Sequence, residues 1–594
     1  MKKILAGLLL VPGLLGAEQQ IFNSQDPAEA PPSPAEAAAM ITLPEGFRLT
    51  LFAGEPDIHQ PIAMTFDDRG RLWVAESYTY EKGGQWDLRM KDRILIFEDT
   101  DQDGRFDRRK VFTSGLERLT GLEVGYGGVW VTTAPTFCFI PDRNRDDLPD
   151  GPPQALIDGF GLNAGHNMVN GLFWGPDGWL YIRHGITDVS SIGPPGTPED
   201  GRMLLSCGIW RYHPLHRDYE ILVSGTTNPW GFDYTPGGEM FFSNNVNGHL
   251  WHVVPGSFYK RMHSQHFNPH LYAYMDMCAD HLHWDDKFPR KSRVPGVHNE
   301  VGGGHSHAGL MIYQGDNWPA AYRGKAFLCN THGRRVNMDR LARKGSGFVA
   351  RHEDDFLLAN NPWFRGIEMK YGPDGGVYLL DWTDNGECHD HDGVHRTSGR
   401  IYKITYGDPH RVAPGLDLQQ WGNLRLVNEL GRKNQWYVRK AIRILQERGA
   451  LEADAVDRLK TLYLACPEPA IRLSALWILA HTRSVATADT PGKSCIDIDW
   501  MAGQLGDRDE AVVCGLVRRM VDRGLDDVTA FKHLAESTAS DLVRLHLAGA
   551  LQKMARGGLR AEDAWPLVEV LACQAHLGTD TNYQLLVWYG LEAY

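Results

Sequence analysis

One short plan recurs six times along the chain: an apolar strand, a tight turn, and a second strand rich in aromatics. It appears as PIAMTFDDRGRLWVAES from Pro61, LTGLEVGYGGVWVTTAP from Leu119 and HNMVNGLFWGPDGWLYIRHG from His166. It returns as NPWGFDYTPGGEMFFSNN from Asn228, a looser HAGLMIYQGDNWPAAYRGKAFLCN from His307, and FRGIEMKYGPDGGVYLLDWTDN from Phe364. In the third copy Pro176-Asp177-Gly178 separates Leu172-Phe173-Trp174 from Trp179-Leu180-Tyr181-Ile182. Proline presets φ and glycine accepts positive φ, so such a run reads as a hairpin. Small antiparallel units repeated without helical spacing between them predict radial repetition, a six-bladed β-propeller over residues 41–410. A pair of β-sandwiches is the competing reading, which six similar units fit poorly.

At 594 residues the chain exceeds one compact core, so further domains are expected. The opening MKKILAGLLLVPGLLGA has two lysines, an apolar run and a small-residue exit at Ala17, the layout of a signal peptide over residues 1–17. It predicts an exported protein, periplasmic or associated with the cell envelope. Residues 18–40, rich in Ala, Pro, Glu and Gln, read as a flexible leader. After Asp408-Pro409 the texture becomes helical: WYVRKAIRIL, AIRLSALWIL, AVVCGLVRRM and DLVRLHLAGAL share a β-branched residue, usually then Arg, at intervals of about 30 to 40 residues. Residues 411–594 therefore read as a HEAT-like α-solenoid offering a surface to a protein partner. The last copy ends at Tyr594 without a polar capping helix, as expected of a truncated form of a longer protein. The formal charge of −13, with no long basic run, excludes a general nucleic-acid binder. Nine cysteines without CxxC or CxxCH exclude a zinc ribbon and covalent c-type haem. In an oxidising compartment they leave room for one or two disulfides, with the pairing open.

Asp99, Asp101, Asp103 and Asp107, with Gly104, place carboxylates at positions 1, 3, 5 and 9 of a calcium loop whose glycine stands at 6. Lys110 at position 12 excludes a complete EF-hand. A second version runs through Asp142, Asn144, Asp146 and Asp150, with Asp147 in the glycine's place. Both are read as structural calcium loops; solvated acidic turns are the plain alternative. Histidines cluster as His281 and His283 in DHLHWDD, His305 and His307 in GGGHSHAG, and His389, His391 and His395 beside Cys388. An H-x-H pair in a strand turns both imidazoles to one face, toward a metal or an anionic cofactor. His166, with Asn167 and Asn170 beside it, is the candidate catalytic base, since a neutral imidazole can take a hydroxyl proton. Asn228 and Trp230 in GTTNPWGF offer an amide and a stacking face. No GxSxG, Walker loop or dinucleotide fingerprint is present.

HNMVNGLFWGPDGWLYIRHG and GTTNPWGF resemble stretches of the soluble quinoprotein glucose and sorbosone dehydrogenases, six-bladed propellers that bind pyrroloquinoline quinone (PQQ) with calcium. DRILIFEDTDQDGRFD, FIPDRNRDDLPDGPPQALIDGF, VGGGHSHAGLMIYQGDNWP, NNPWFRGIEMKYGPDGGVYLLDW and RTSGRIYKITYG are similar to large exported proteins of planctomycetes and verrucomicrobia known as PVC-type membrane-bound dehydrogenases or haem-binding proteins. That similarity spans about residues 40 to 410, and the helical remainder resembles the segment that follows in the same proteins. The resemblance implies oxidation of a sugar or polyol with PQQ, His166 as the base and Asn228 beside the cofactor. Asn167, Trp230, His305, His307, Cys388 and His389 complete the expected cofactor surroundings. Thr227 stands where those dehydrogenases have Arg, which removes a partner for a PQQ carboxylate. No cytochrome c domain follows, so a cytochrome or other external acceptor would take the electrons. The competing expectation is a non-catalytic propeller that holds a glycan, and the histidine clusters add a metal-dependent third.

Overall fold

The computed structural model describes residues 19–26, 28–82, 85–283, 304–386, 393–486 and 492–594. Six antiparallel sheets stand around one axis. Their innermost strands are Pro61–Phe66, Leu119–Gly125, Val169–Trp174, Asn228–Tyr234, His307–Ile312 and Gly366–Tyr371, the six copies of the sequence repeat. Each packs against the next, and the sixth packs against the first, so the ring is closed. A closed ring of six sheets is the expected propeller and rules out a pair of sandwiches. Among the described residues the first, second, fifth and sixth blades have four strands and the fourth has three, while the third gains a fifth, Phe258–Arg261, that runs parallel to its outer strand. The blades stack face to face, so both faces of Pro61–Phe66 and Leu72–Glu76 are fully buried. That explains why their sequences are almost uninterruptedly apolar.

Ring closure uses both ends of the propeller segment. Phe47–Gly54 is the outer strand of the sixth blade and pairs antiparallel with Arg400–Tyr406, Phe47 opposite Tyr406. The stretch read as a flexible leader is instead fastened down. Helix α1 (Pro34–Met40) begins with a capping box between Ser33 and Glu36. Upstream, Asn23 Nδ2 donates to Thr397 Oγ1 at 2.9 Å and Gln25 Nε2 to Asp384 Oδ1 at 2.5 Å. The leader's composition hid partners more than 350 residues away.

The C-terminal region holds α2 (Asn423–Asn428), α3 (Gln435–Arg448), α4 (Ala453–Ala465), α5 (Pro469–Leu479), α6 (Ile498–Ala502), α7 (Glu510–Asp522), α8 (Thr529–Ser537), α9 (Asp541–Arg556), α10 (Ala561–Ala572) and α11 (Thr581–Glu592). Helices α3, α5, α7, α9 and α11 pack in sequence as one row, while α2, α4, α8 and α10 lean on it from outside. The recurring arginine has two uses. Arg472 Nε donates to the Tyr463 carbonyl and Arg544 Nε to the Ala535 carbonyl, each capping the end of the preceding helix. Arg439 and Arg518 instead face the propeller, joined by Arg443 and Arg519. Their partners are carboxylates at its hairpin end: Asp233 for Arg439 at 2.8 Å, Glu239 for Arg518 at 3.5 Å, Asp68 for Arg443 at 2.5 Å and Asp177 for Arg519 at 3.5 Å. The helices therefore cover the end of the ring where the inner hairpins turn.

Among the described residues eight cysteines are present, all unpaired and mostly buried, so the room left for disulfides is not used there. Cys388 lies outside the described residues, as do residues 1–17. No described helix is long and apolar enough to cross a membrane.

Candidate functional site

At the end of the ring away from the helices, every inner strand is bulged near its first residue. Strand pairing skips Ile62, Thr120, Gly171, Trp230, Gly309 with Leu310, and Ile367. A bulge re-aims the side chain it expels. Ile62, Thr120, Trp230 and Ile367 accordingly line one cavity of about 140 Å³ on the axis, together with His166 and Asn228. Tyr80, Trp86 and Trp382 complete an aromatic wall, with Tyr80 edge-on to both tryptophans.

The third blade bulges at a glycine and brings its functional side chain from the loop just before the strand. The His166 carbonyl accepts a 2.9 Å hydrogen bond from Asn228 Nδ2, so the fourth blade positions the third blade's histidine. Asn228 is held by its own backbone N–H, which donates to Asn244 Oδ1 at 2.8 Å. Its side-chain Oδ1 is buried without a hydrogen-bond partner, an acceptor left open in the wall. Trp86 Nε1 donates to the Ala164 carbonyl and steadies the loop that carries His166.

The structure thus brings His166, Asn228 and Trp230 together and separates them from Asn167, His305 and His307. Asn167 is half-buried and does not line the cavity; its backbone packs beside Gly185. His305 stands behind the wall, its ring 4.2 Å from that of His332, which does line it. His307 is fully buried away from the cavity, 5.2 Å from His249 and from His283 between ring centroids. The two do not share a face because the strand begins at His307 and alternation does not extend back to His305. Cys388 and His389 lie outside the described residues. Thr227 donates its hydroxyl to Asn247 Oδ1 at 2.7 Å and does not reach the cavity. The cation in the wall is Arg365 of the sixth blade, whose guanidinium is fixed by the carbonyls of Pro362, Phe364, Asn385 and Gly386. Its only signal in the sequence is its place just before the sixth bulge. Flat aromatic faces, a guanidinium and the imidazoles of His166 and His332 suit a planar anionic ring such as PQQ, and His166 can exchange a proton there.

Below the cavity the channel is filled by charge. Lys370 Nζ lies 3.0 Å from Glu123 Oε1 and 3.7 Å from Glu368 Oε1, and Glu368 accepts from the Met64 N–H at 2.7 Å. Arg183 Nε donates to Asn170 Oδ1 at 3.0 Å, which gives that asparagine a structural task. Its guanidinium lies over Gly171, where a Cβ would stand 1.2 Å from Nη2 and φ is +53°. Burial pushes Arg183 down to about 10 and raises the Glu368 carboxyl. Arg183, Glu123, Glu368 and Lys370 face the docked helix α3 on their far side.

The two acidic loops share a backbone. Gln102 and Gly104 in the first, and Arg145 and Asp147 in the second, adopt positive φ at matching places. Their carboxylates differ. Oxygens of Asp99, Asp101 and Asp107 lie within 4.8 Å of one another, and Asp99 Oδ1 is buried without a hydrogen-bond partner. Asp103 turns to the Arg105 N–H instead. In the second loop Asn144 Nδ2 donates to Asp146 Oδ2, Asp150 accepts from the Arg143 N–H, and Asp147 pairs with Arg71 at 2.7 Å. Asp142, Asp146 and Asp150 do not converge on one point.

No curated protein matches the chain. It is similar to the PQQ-bound form of aldose sugar dehydrogenase from Streptomyces coelicolor, 15% identical over 61% of this chain and 99% of that one, with a TM-score of 0.40. It is similar to the PQQ domain of pyranose dehydrogenase from Coprinopsis cinerea, 14% identical over 61% and 97%, TM-score 0.38. It is also similar to the virginiamycin B lyase of Staphylococcus aureus solved with quinupristin, 12% identical over 60% and 99%, TM-score 0.30. The family described as domain of unknown function DUF7133 matches residues 33–408, from the capping helix to the strand that closes the ring, and the chain belongs to that family.

Proposed function

We propose that the bulged end of the ring is the active site of a dehydrogenase that oxidises a sugar or polyol, with PQQ against the aromatic wall. The observation that carries this reading is the convergence of His166, Asn228 and Trp230 from two blades on one cavity. When bound, the quinone supplies a two-electron acceptor, and an external partner such as a cytochrome takes the electrons onward. His166 accepts the proton of the substrate hydroxyl. Asn228 Oδ1 accepts a hydrogen bond from a ligand hydroxyl, Trp230 and Trp382 cover ring faces, and Arg365 answers a carboxylate in place of the arginine absent at Thr227. Asp99, Asp101 and Asp107 are the better fitted of the two loops for calcium. The two-row helical stack is read as HEAT-like, with its free face for a protein partner, and the signal-like sequence of residues 1–17 supports a location outside the cytoplasm.

The test is dye reduction by the purified full chain with PQQ, calcium and a panel of sugars, alongside an absorbance titration of PQQ. Turnover is expected, with His166→Ala lowering kcat by about 10²- to 10⁴-fold while unfolding is unchanged. Absence of both turnover and PQQ binding overturns the reading. The aromatic wall also suits a second reading, a glycan-binding propeller without chemistry; saturable sugar binding with no turnover favours it.

A further inference from the structure

Outside the cavity, the densest group of ligating side chains lies at the seam of the fourth and fifth blades. His249 sits in the turn between Met240–Asn245 and Leu250–Val253 of the fourth blade. Asp339 belongs to the third strand of the fifth, Arg335–Lys344. His281 and His283 come from the segment between the two blades. His249, His283 and Asp339 are buried to 1% exposure or less. One ligand atom from each of the four residues lies within 4.8 Å of all the others.

The spacing within the group decides between two accounts of it. His249 Nε2 is 3.1 Å from Asp339 Oδ2, and His281 Nε2 is 3.3 Å from Asp339 Oδ1. His281 Nε2 is also 3.3 Å from His283 Nε2, and His283 Nε2 is 3.7 Å from Asp339 Oδ1. As a hydrogen-bonded network this is crowded: His281 Nε2 faces both a carboxylate oxygen and another imidazole nitrogen, and one N–H cannot serve both. As a ligand set the spacings of 3.1 to 3.7 Å fit better. Four atoms about 2.0 to 2.1 Å from a tetrahedral ion stand about 3.3 Å apart. Among the described residues, the cationic or titratable groups within 4 Å of Asp339 are all imidazoles, with His352 Nδ1 as the fourth at 3.7 Å. Among the described residues no lysine or arginine pairs with the buried carboxylate.

We propose that His249, His281, His283 and Asp339 bind one divalent first-row transition metal such as zinc. Three imidazoles and one carboxylate suit that class, whereas calcium and magnesium take oxygen ligands throughout. The site is buried and closed, which makes it structural. It serves the blade that has three strands among the described residues. The chain after that blade first adds Phe258–Arg261 to the edge of the third sheet, then continues through single bridges, Tyr259 to Met275 and Ala279 to Ala350, before reaching His281. The metal staples this crossing to both blades.

The test uses the full chain, purified without chelator and without a metal-affinity step, its metal content measured by mass spectrometry. Stripped protein is then titrated with zinc alone against a chromophoric chelator and separately loaded with cobalt(II). One metal per chain, sub-micromolar zinc binding and the intense visible bands of four-coordinate cobalt are expected. His283→Ala and Asp339→Asn lower zinc affinity at least about 100-fold, while His410→Ala, at an exposed histidine, leaves it unchanged. Stripped wild-type protein that binds neither ion at micromolar concentration, or a folded Asp339→Asn variant that binds zinc as wild type does, overturns the proposal. If the variants do not fold, the cobalt spectrum of the wild type decides, and its absence is an overturning result. None of these readouts depends on turnover or on PQQ.

Discussion

Arg365 is buried and lines the wall, and its guanidinium is already tied to backbone carbonyls. A ligand carboxylate would therefore meet a cation whose position is fixed in advance, which costs little ordering entropy. Arg365→Ala should weaken PQQ binding by about 10- to 100-fold, or roughly 1.5 to 3 kcal/mol, read from the absorbance titration. Arg365→Lys should rescue little, because an ammonium cannot make the same fan of bonds. At this scale the sequence was legible only in part. His166, Asn228 and Trp230 stand in recognisable runs, and the cavity collects all three. Arg365 was invisible because its relevance comes from ring closure, which brings the sixth blade to the same cavity as the third and fourth. The H-x-H spacing at 305 and 307 does not put both rings on one face, because strand alternation starts only at His307.

The element that does most for the architecture is the inner hairpin. One end carries a bulge that feeds the cavity, and the other carries a turn that receives a helix. Asp177 shows how the turn works. Its Oδ2 accepts from Tyr181 at 2.7 Å and pairs with Arg211 at 2.9 Å, while Arg519 of α7 approaches to 3.5 Å. Burial alone would raise this carboxyl, but Arg519 and Arg211 hold it below its ordinary value. Asp177→Ala would leave those guanidinium groups buried without it and should cost about 3 to 5 kcal/mol. The expected signature in denaturant is an early transition in which the helices release before the propeller melts. The PDG turn was legible as a turn, but its docking role was not, since nothing local distinguishes a turn that faces water from one that faces α7. At the capped helix α1, Ser33→Ala should cost about 1 kcal/mol and raise amide exchange over Pro34–Met40.

Across the whole molecule, many histidines are buried in neutral form. Burial pushes His184 and His59 down to about 4 and His213 to about 2, with neighbouring cations and histidines adding to the effect at the latter two. The unfolded chain takes up these protons as pH falls below about 6.5 while the folded chain refuses them, so their contribution is present above that pH and is lost toward pH 4. His184 alone accounts for about 3 kcal/mol. Thermal midpoints should fall steeply between pH 6.5 and 4, and His184→Gln should flatten the slope. Fold class was the most legible property, because six repeats leave few ways to bury their faces. The anchoring of residues 19–40 was not, because its partners are distant in sequence. The pairing of Phe47 with Tyr406 has a consequence during synthesis. The first strand emerges from the ribosome and must wait for about 360 further residues before its partner exists. Until then the growing chain presents an unlatched sheet edge. A message cut short anywhere before residue 400 would therefore yield not a smaller propeller but an open, self-templating one, a natural client for chaperones.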